Sequence, residues 1–479
     1  MAGFIEGVDR GQLALLPESL DQWVEDSNPV RIIDAFVEQL DLDELGFKMA
    51  EPADLGRPGY NPALHLKLYI YGYLHRIQSS RRLERECQRN LEVMWLLGRL
   101  APDHKTIADF RKDNGAPIKK VCARFVELCR QMGLLAKASV AIDGSKFKAV
   151  NNRDKNYTVA KIERRRTQLE ASVARYLSQL DTADLQDPSE TVTLKKTHLK
   201  GKLEKLKSEM QKLEAIERQV LASPDQQISL TDPDSRSMAT SGRGSGVVGY
   251  NVQTAVDTEH HLIVAHEVTN VGNDTAHLAN TAKAAKAALH VEEIEAVADR
   301  GYFDGEEILA CDLAGITVTL PKRMTSGAKS EGRFGKQDFV YLVDEDVYRC
   351  PAGEKLKYYY TNEEKGQKLH RYWTNACRTC ALKAKCTKGP QRRITRWEHE
   401  EVLESVQARL DRNPDAMRTR RETVEHPFGT IKMRMGATHF LMKTLPKVAT
   451  EMALCVLTYN LTRVFNIVGV ENLLEAIKA

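Results

Sequence analysis

Between residues 139 and 321 the chain alternates short apolar runs with helical stretches, and that order constrains the fold more than any single residue. SVAIDGSKFKAV (139–150) opens as an apolar, β-prone run and breaks at Asp143-Gly144. It reads as a buried strand with an acid at its end. SLTDPDSRSM (229–238) and SGRGSG (241–246) read as loop, and GYNVQTAVDTEHHLIVAHEVT (249–269) as a hairpin turning at Asp-Thr-Glu-His. DTAHLANTAKAAKAALH (274–290) is an alanine-rich helix. IEAVAD (294–299) is a second strand ending on an acid, followed by the turn RGYFDG, the helix EEILACDLA and the strand ITVTLP (316–321). Such an order predicts a mixed α/β sheet covered by helices.

A helical segment, 155–221, interrupts this pattern. Leu199, Leu203, Leu206, Met210, Leu213 and Val220 form an a/d heptad seam, and Ile162, Leu169, Val173, Tyr176 and Leu180 form a similar one upstream. The turn-rich linker DTADLQDPSET between them predicts an antiparallel coiled-coil hairpin. Residues 28–130 read as helices. Asn28-Pro29 starts one, and SSRRLERECQRNLEVMWLLGRL (79–100) is expected to be continuous, with Leu83, Cys87, Leu91 and Met94 on one stripe and Arg82, Arg85 and Arg89 on another. Short helices with an arginine face suit a helix-turn-helix-like DNA module; a plain helical domain fits the same residues.

Net charge is +4, but its distribution is uneven. Residues 1–60 carry 13 acidic and 4 basic side chains, 61–130 carry 14 basic and 7 acidic, and 317–396 carry 18 basic and 8 acidic. Local basic blocks suggest a polyanion partner; solvated helix faces are the plainer account. The run MALCVLTY (452–459) is too short to span a bilayer, and MAGFIEGVDRGQ lacks a secretory signature. No membrane association is expected, and nine cysteines, an odd number, fit a reducing, cytoplasmic setting.

Two constellations carry chemistry. Asp143 and Asp299 each end a strand, and acids so placed can converge on a divalent cation; each alone also reads as a turn residue. RRETVEHPFGTIKMRMG (420–436) adds a third acid. On a helix starting at Asn413-Pro414, Arg418, Arg421, Glu425, Phe428 and Lys432 share a face, Glu422 is turned away, and Pro427 bends the axis. The carboxylate would bind metal and the cations hold phosphates; an Arg421–Glu425 ion pair is the alternative. Separately, Cys350, Cys377, Cys380 and Cys386 fall within 37 residues with a Cys-x2-Cys pair, which suits a closed structural Zn²⁺ site or free thiols. Tyr358, Tyr359, Tyr360, Tyr372 and Trp373 stand among bases nearby and suit unpaired DNA bases or a small β core.

The pattern R-x3-E-x6-K at Arg421, Glu425 and Lys432 resembles the signature of DDE transposases of bacterial insertion sequences. AIDGSKFKA, TDPDSRSM, GYNVQTAVD and ADRGYFDGEEI resemble that family in the same order, and residues 59–111 resemble its N-terminal DNA-binding region. The family usually has a tyrosine three places before the arginine; Arg418 stands there, so the tyrosine's DNA-positioning role is unfilled or filled by a cation.

The resemblance implies a ribonuclease-H-like α/β core over 136–154, 222–323 and 397–479. Around it stand a helical DNA-binding domain (1–135), the helical hairpin insertion (155–221) and a cysteine-rich insertion (324–396) expected to bind zinc. It implies Asp143, Asp299 and Glu425 as a triad binding two Mg²⁺ or Mn²⁺ ions. The cations Arg418, Arg421 and Lys432 beside Glu425, and the arginine stripe Arg82, Arg85 and Arg89 in its basic region, are expected to contact DNA. Terminal inverted repeats and target DNA would be the partners, two or more copies would meet in a synaptic complex, and the setting would be the bacterial nucleoid. The rival expectation is a catalytically inactive, domesticated DNA-binding protein. A structural coiled-coil protein accounts for 155–221 alone.

Overall fold

The computed structural model describes residues 19–50, 59–185, 190–239, 246–323 and 330–479. The N-terminal MAGFIEGVDRGQ, most of SGRGSG, part of the DTADLQDPSET linker and residues 324–329 lie outside these. The chain is mixed α/β with a helical N-terminal region. It divides into two units: Met1–Lys137 with Gly144–Asn273 and Val424–Ala479, and Ala138–Asp143 with Asp274–Thr423.

The first unit opens with helices α1 (Val30–Glu38), α2 (Pro62–Leu74), α3 (Ser80–Arg89), α4 (Leu91–Leu96), α5 (His104–Asp113) and α6 (Gly115–Gln131). Local chemistry sets their ends. Asn61 accepts from Ala63 N with Pro62 in the first turn, and Asp103 accepts from Lys105 N and Thr106 N. The helix expected over 79–100 is two. Asn90 leaves helical conformation (φ −101°, ψ 120°) and its side chain caps Glu92 N and Val93 N. Short Asn side chains favour such caps over helix interiors.

Strand β1 (Ser139–Lys148) runs past Asp143-Gly144 rather than ending there. Its second half continues beside a later strand, β5 (Val247–Asp257), where a Cβ on Gly249 would stand 1.9 Å from Phe147 O, so only glycine allows that approach. After β2 (Asn156–Thr158), α7 (Val159–Asp184) and α8 (Glu190–Ala222) pack together around Ile162, Leu169, Leu213 and Val220. Strands β3 (Gln227–Ser229), β4 (Arg236–Met238), β5 (Val247–Asp257) and β6 (Ile263–Thr269) follow; β5 pairs antiparallel with β4 and β6. The β5–β6 turn is tied by Asp257, whose side chain accepts from Glu259 N and His260 N.

In the second unit the start of β1 pairs parallel with β7 (Ile294–Val297), and β7 pairs parallel with β8 (Ile316–Thr319). Helices α9 (Leu278–Leu289), α10 (Gly305–Asp312) and, after a second sheet, α11 (Glu400–Arg412) pack about these strands. The second sheet is antiparallel, ordered β13 (Ile394–Trp397), β12 (Gln367–Trp373), β11 (Lys355–Glu364), β10 (Val347–Arg349), β9 (Val340–Leu342). Its core is Phe339, Tyr348, Leu356, Tyr372, Cys386 and Ile394. Helix α12 (Ala416–Gly429) then carries the chain back into the first unit. There α13 (Leu445–Val468), nearly all buried, packs on α2, α6 and β6, and α14 (Val470–Lys478) on α1. No single helix among the described residues is long and apolar enough to cross a membrane; α13 and α14 qualify only as a pair bent by 111°.

Candidate active site

Parallel pairing sets Asp143 and Asp299 level. Ala141 faces Val297, so each aspartate lies two residues beyond the last paired position of its strand. Asp299 caps a short 3₁₀ turn and accepts from Gly301 N at 2.7 Å. A Cβ at 301 would stand 2.8 Å from Asp299 Oδ1, so glycine leaves the carboxylate room over that amide. Tyr302 is fully buried beside them. Burial pushes its hydroxyl well above the ordinary tyrosine range, and the charges of Asp274, Asp143 and Asp299 push the same way.

One cation bridges the pair. Arg420 Nη2 lies 2.5 Å from Asp143 Oδ1 and 3.8 Å from Asp299 Oδ2. The Arg420 side chain is 14% exposed, that of Asp143 23% and that of Asp299 45%. Arg420 sits on the buried face of α12 with Ala416, Thr423, Val424 and Phe428. The i, i+4 spacing that groups 416, 420, 424 and 428 could have found it in the sequence, where motif spacing draws the eye to Arg421.

The other charged residues of α12 are exposed: Arg418, Arg421, Glu422 and Glu425. Arg418 reaches Asp415 at 3.7 Å and Glu422 at 3.9 Å. Glu425 lies five residues past Arg420, in the first unit. Pro427 stays inside the helix, and a π-helical turn follows at Thr430–Arg434. The wider turn ends the simple 3.6-residue phase, so a face drawn from Arg421 to Lys432 does not continue through it. Lys432 is half-buried; it donates to Ser145 Oγ (2.6 Å) and Lys146 O (3.0 Å) and lies 4.5 Å from the Phe147 ring.

Cys350, Cys377, Cys380 and Cys386, all in the second unit, line one small cavity of about 20 Å³ with Phe334, Phe339 and Arg392. Burial raises the Cys386 thiol, Arg392 opposes that, and the other three cysteines add to it. As they stand, no group of three or more His, Cys, Asp or Glu among the described residues is arranged to hold a metal ion. The thiols thus share a cavity without yet forming a ligand shell.

Arg82, Arg85 and Arg89 are exposed on α3. Arg89 is held by Glu86 at 2.5 Å. On β11 a bulge between Tyr358 and Tyr360 shifts the register. Tyr359 stacks on Trp373 (ring centroids 3.6 Å apart, 9° between planes), Tyr360 meets the same ring edge-on, and the Arg393 guanidinium lies 5.2 Å from it. Tyr358, Tyr359 and Tyr360 remain 44–46% exposed, while Tyr372 is core. Residues 374–397 carry seven basic and no acidic side chains.

The family model described as a transposase domain matches residues 18–113, and that described as a transposase DDE domain matches residues 349–465. These two matches, on separate stretches of the chain, support a DDE transposase of the insertion-sequence type. They support a transposase function and DNA binding, and the DDE domain implies nuclease or transposition activity; members of that family generally use divalent metal ions. A comparison with curated proteins finds no match. Among solved structures, a piggyBac transposase synaptic complex with hairpin DNA is similar at a TM-score of 0.32 and 8% identity, over 95% of this chain and 81% of that one. A likeness that loose carries no argument here.

Proposed function

We propose that the chain cuts the ends of its own mobile element and joins them to target DNA, using Asp143, Asp299 and Glu425 as an acidic triad on a ribonuclease-H-like core. The observation that carries this reading is the level pair of aspartates on neighbouring parallel strands with the Arg420 guanidinium against both. Two hard oxygen donors that already draw in a cation fit a small divalent ion completed by waters and phosphates. Bound there, Mg²⁺ or Mn²⁺, two ions in all, would supply Lewis acidity and an activated water or 3′-hydroxyl. Glu425 is the third acid by family pattern, and Arg418 and Arg421, exposed on its helix, would meet phosphate.

DNA is held elsewhere as well. Residues 1–135 form the end-binding domain through Arg82, Arg85 and Arg89. The 324–396 module, stapled by Zn²⁺ on its four cysteines, offers the Tyr359–Trp373 stack to unpaired bases. Two element ends call for at least two copies. The test is Mg²⁺-dependent cutting of linear DNA carrying the element's ends. The wild type should cut and Asp299→Asn should bind without cutting. A wild type that binds but never cuts would favour the domesticated DNA-binding protein.

A further inference from the structure

Three arginines stand within four residues on α12 and face different surroundings. Arg418 and Arg421 are exposed, whereas Arg420 is turned in against both aspartates. Its Nη2 meets the two carboxylates, while its Nε is buried and has no hydrogen-bond partner among the described residues. Such a nitrogen recurs among the described residues at Arg111, Arg333 and Arg392; at Arg420 it stands beside two carboxylates that fit a metal ion, and there a second arrangement would supply the acceptor.

The charges say when that arrangement forms. One guanidinium offsets one of the two carboxylate charges. A divalent ion offsets both, and at ligating distance from the same oxygens it would repel the guanidinium at close range. Arg420 and a metal therefore compete for Asp143. Once DNA is present its phosphate brings negative charge and acceptor oxygens to the same place.

We propose that Arg420 is an exchangeable counter-ion. It keeps Asp143 and Asp299 together while the metal is away, yields Asp143 when a divalent ion enters, and then turns its donors, Nε among them, to a DNA phosphate oxygen. No bond is made or broken by Arg420, so it is a positioning residue. This rests on the reading of the two aspartates as metal ligands. If Arg420 were instead a permanent part of the scaffold, removing it would loosen the aspartates and weaken metal binding.

Mn²⁺ binding to the full chain without DNA separates the two. It is read by titration calorimetry and by thermal unfolding with and without the ion. Arg420→Gln should bind Mn²⁺ roughly threefold tighter or more, because the competing cation is gone. It should also melt earlier than wild type without metal, with the gap closing as Mn²⁺ is added. Arg420→Lys, with its compact point charge in place of the planar fork, should shift the same way by less, and it serves if the glutamine variant does not fold. Asp143→Asn should lose Mn²⁺. Equal or weaker binding in both Arg420 variants, with Asp143→Asn still losing the ion, overturns the exchange and leaves the metal site standing. Asp143→Asn binding as wild type does overturns both.

Discussion

The second unit holds two candidate cation centres built from opposite chemistry. Asp143 and Asp299 are oxygen donors with Arg420 between them; Cys350, Cys377, Cys380 and Cys386 are sulfur donors around a small cavity walled by Phe334 and Phe339. Carboxylates are charged at neutral pH, so drawing two together without a counter-ion is costly. At the other centre burial raises the Cys386 thiol, which packs as a small apolar group in a core with Leu356 and Tyr372. On the proposed function, metal at the first centre would therefore trade places with a cation. Metal at the second trades places with protons and draws the ligand shell together from side chains already gathered. One centre is suited to an ion that comes and goes with DNA, the other to an ion that holds a fold.

The largest expected effect follows at the sulfur centre. Structural zinc is worth roughly 10–16 kcal/mol to a small domain, so a strong chelator should strip about one Zn²⁺ per chain and unfold the β9–β13 sheet. Hydrogen exchange over 334–397 would show it. A chelated chain whose sheet stays protected breaks the comparison.

Next in size is the third acid. Glu425→Gln should cut DNA-end cleavage by about three orders of magnitude, the scale of losing a metal ligand together with its nucleophile, while Glu422→Gln stays mild. Both should still bind DNA. If Glu422 proves the sensitive one, the family spacing has been laid one turn off on α12.

The pH response separates the centres further. With its thiol raised by burial, Cys386 must lose a proton to ligate, so zinc affinity should fall as pH falls, by about tenfold per unit for each proton released. Competition with a colorimetric chelator from pH 8 to pH 6 measures this. A flat profile would mean the thiols are not the ligands.

The smallest effect concerns arginines whose charge is already matched. Each phosphate contact adds roughly 0.9 to the log–log salt slope of DNA binding. Arg89 is held by Glu86, so replacing Arg82, Arg85 and Arg89 by Ala should flatten the slope by about two contacts rather than three. No change would place α3 off the DNA.

What the sequence made legible follows from the range of each cause. Asp143 and Asp299 were visible because a short apolar run ending on an acid is a local pattern, and parallel register then sets the two level. The Tyr359–Trp373 stack was half visible: the composition showed aromatics among bases, but only the pairing of β11 with β12 brings Tyr359 onto Trp373. Arg420 was missed because its importance is a matter of helical phase against buried neighbours, and an adjacent arginine fits the motif. The break at Asn90 was missed because an apolar stripe of helical period carried across it, while the cap is a single side chain. The path of β1 past Gly144 depends on Gly249, more than a hundred residues away.

The central claim is that Asp143 and Asp299 hold a divalent ion, and Fe²⁺-directed cleavage of the protein chain tests it most directly. Fe²⁺ takes the place of Mg²⁺ and, with ascorbate and peroxide, cuts backbone close to where it sits. The account predicts cuts beside Asp143 and beside Asp299, suppressed by added Mg²⁺ and lost in Asp143→Asn. Cuts confined to other segments, or cuts at these two that persist in Asp143→Asn, would contradict it.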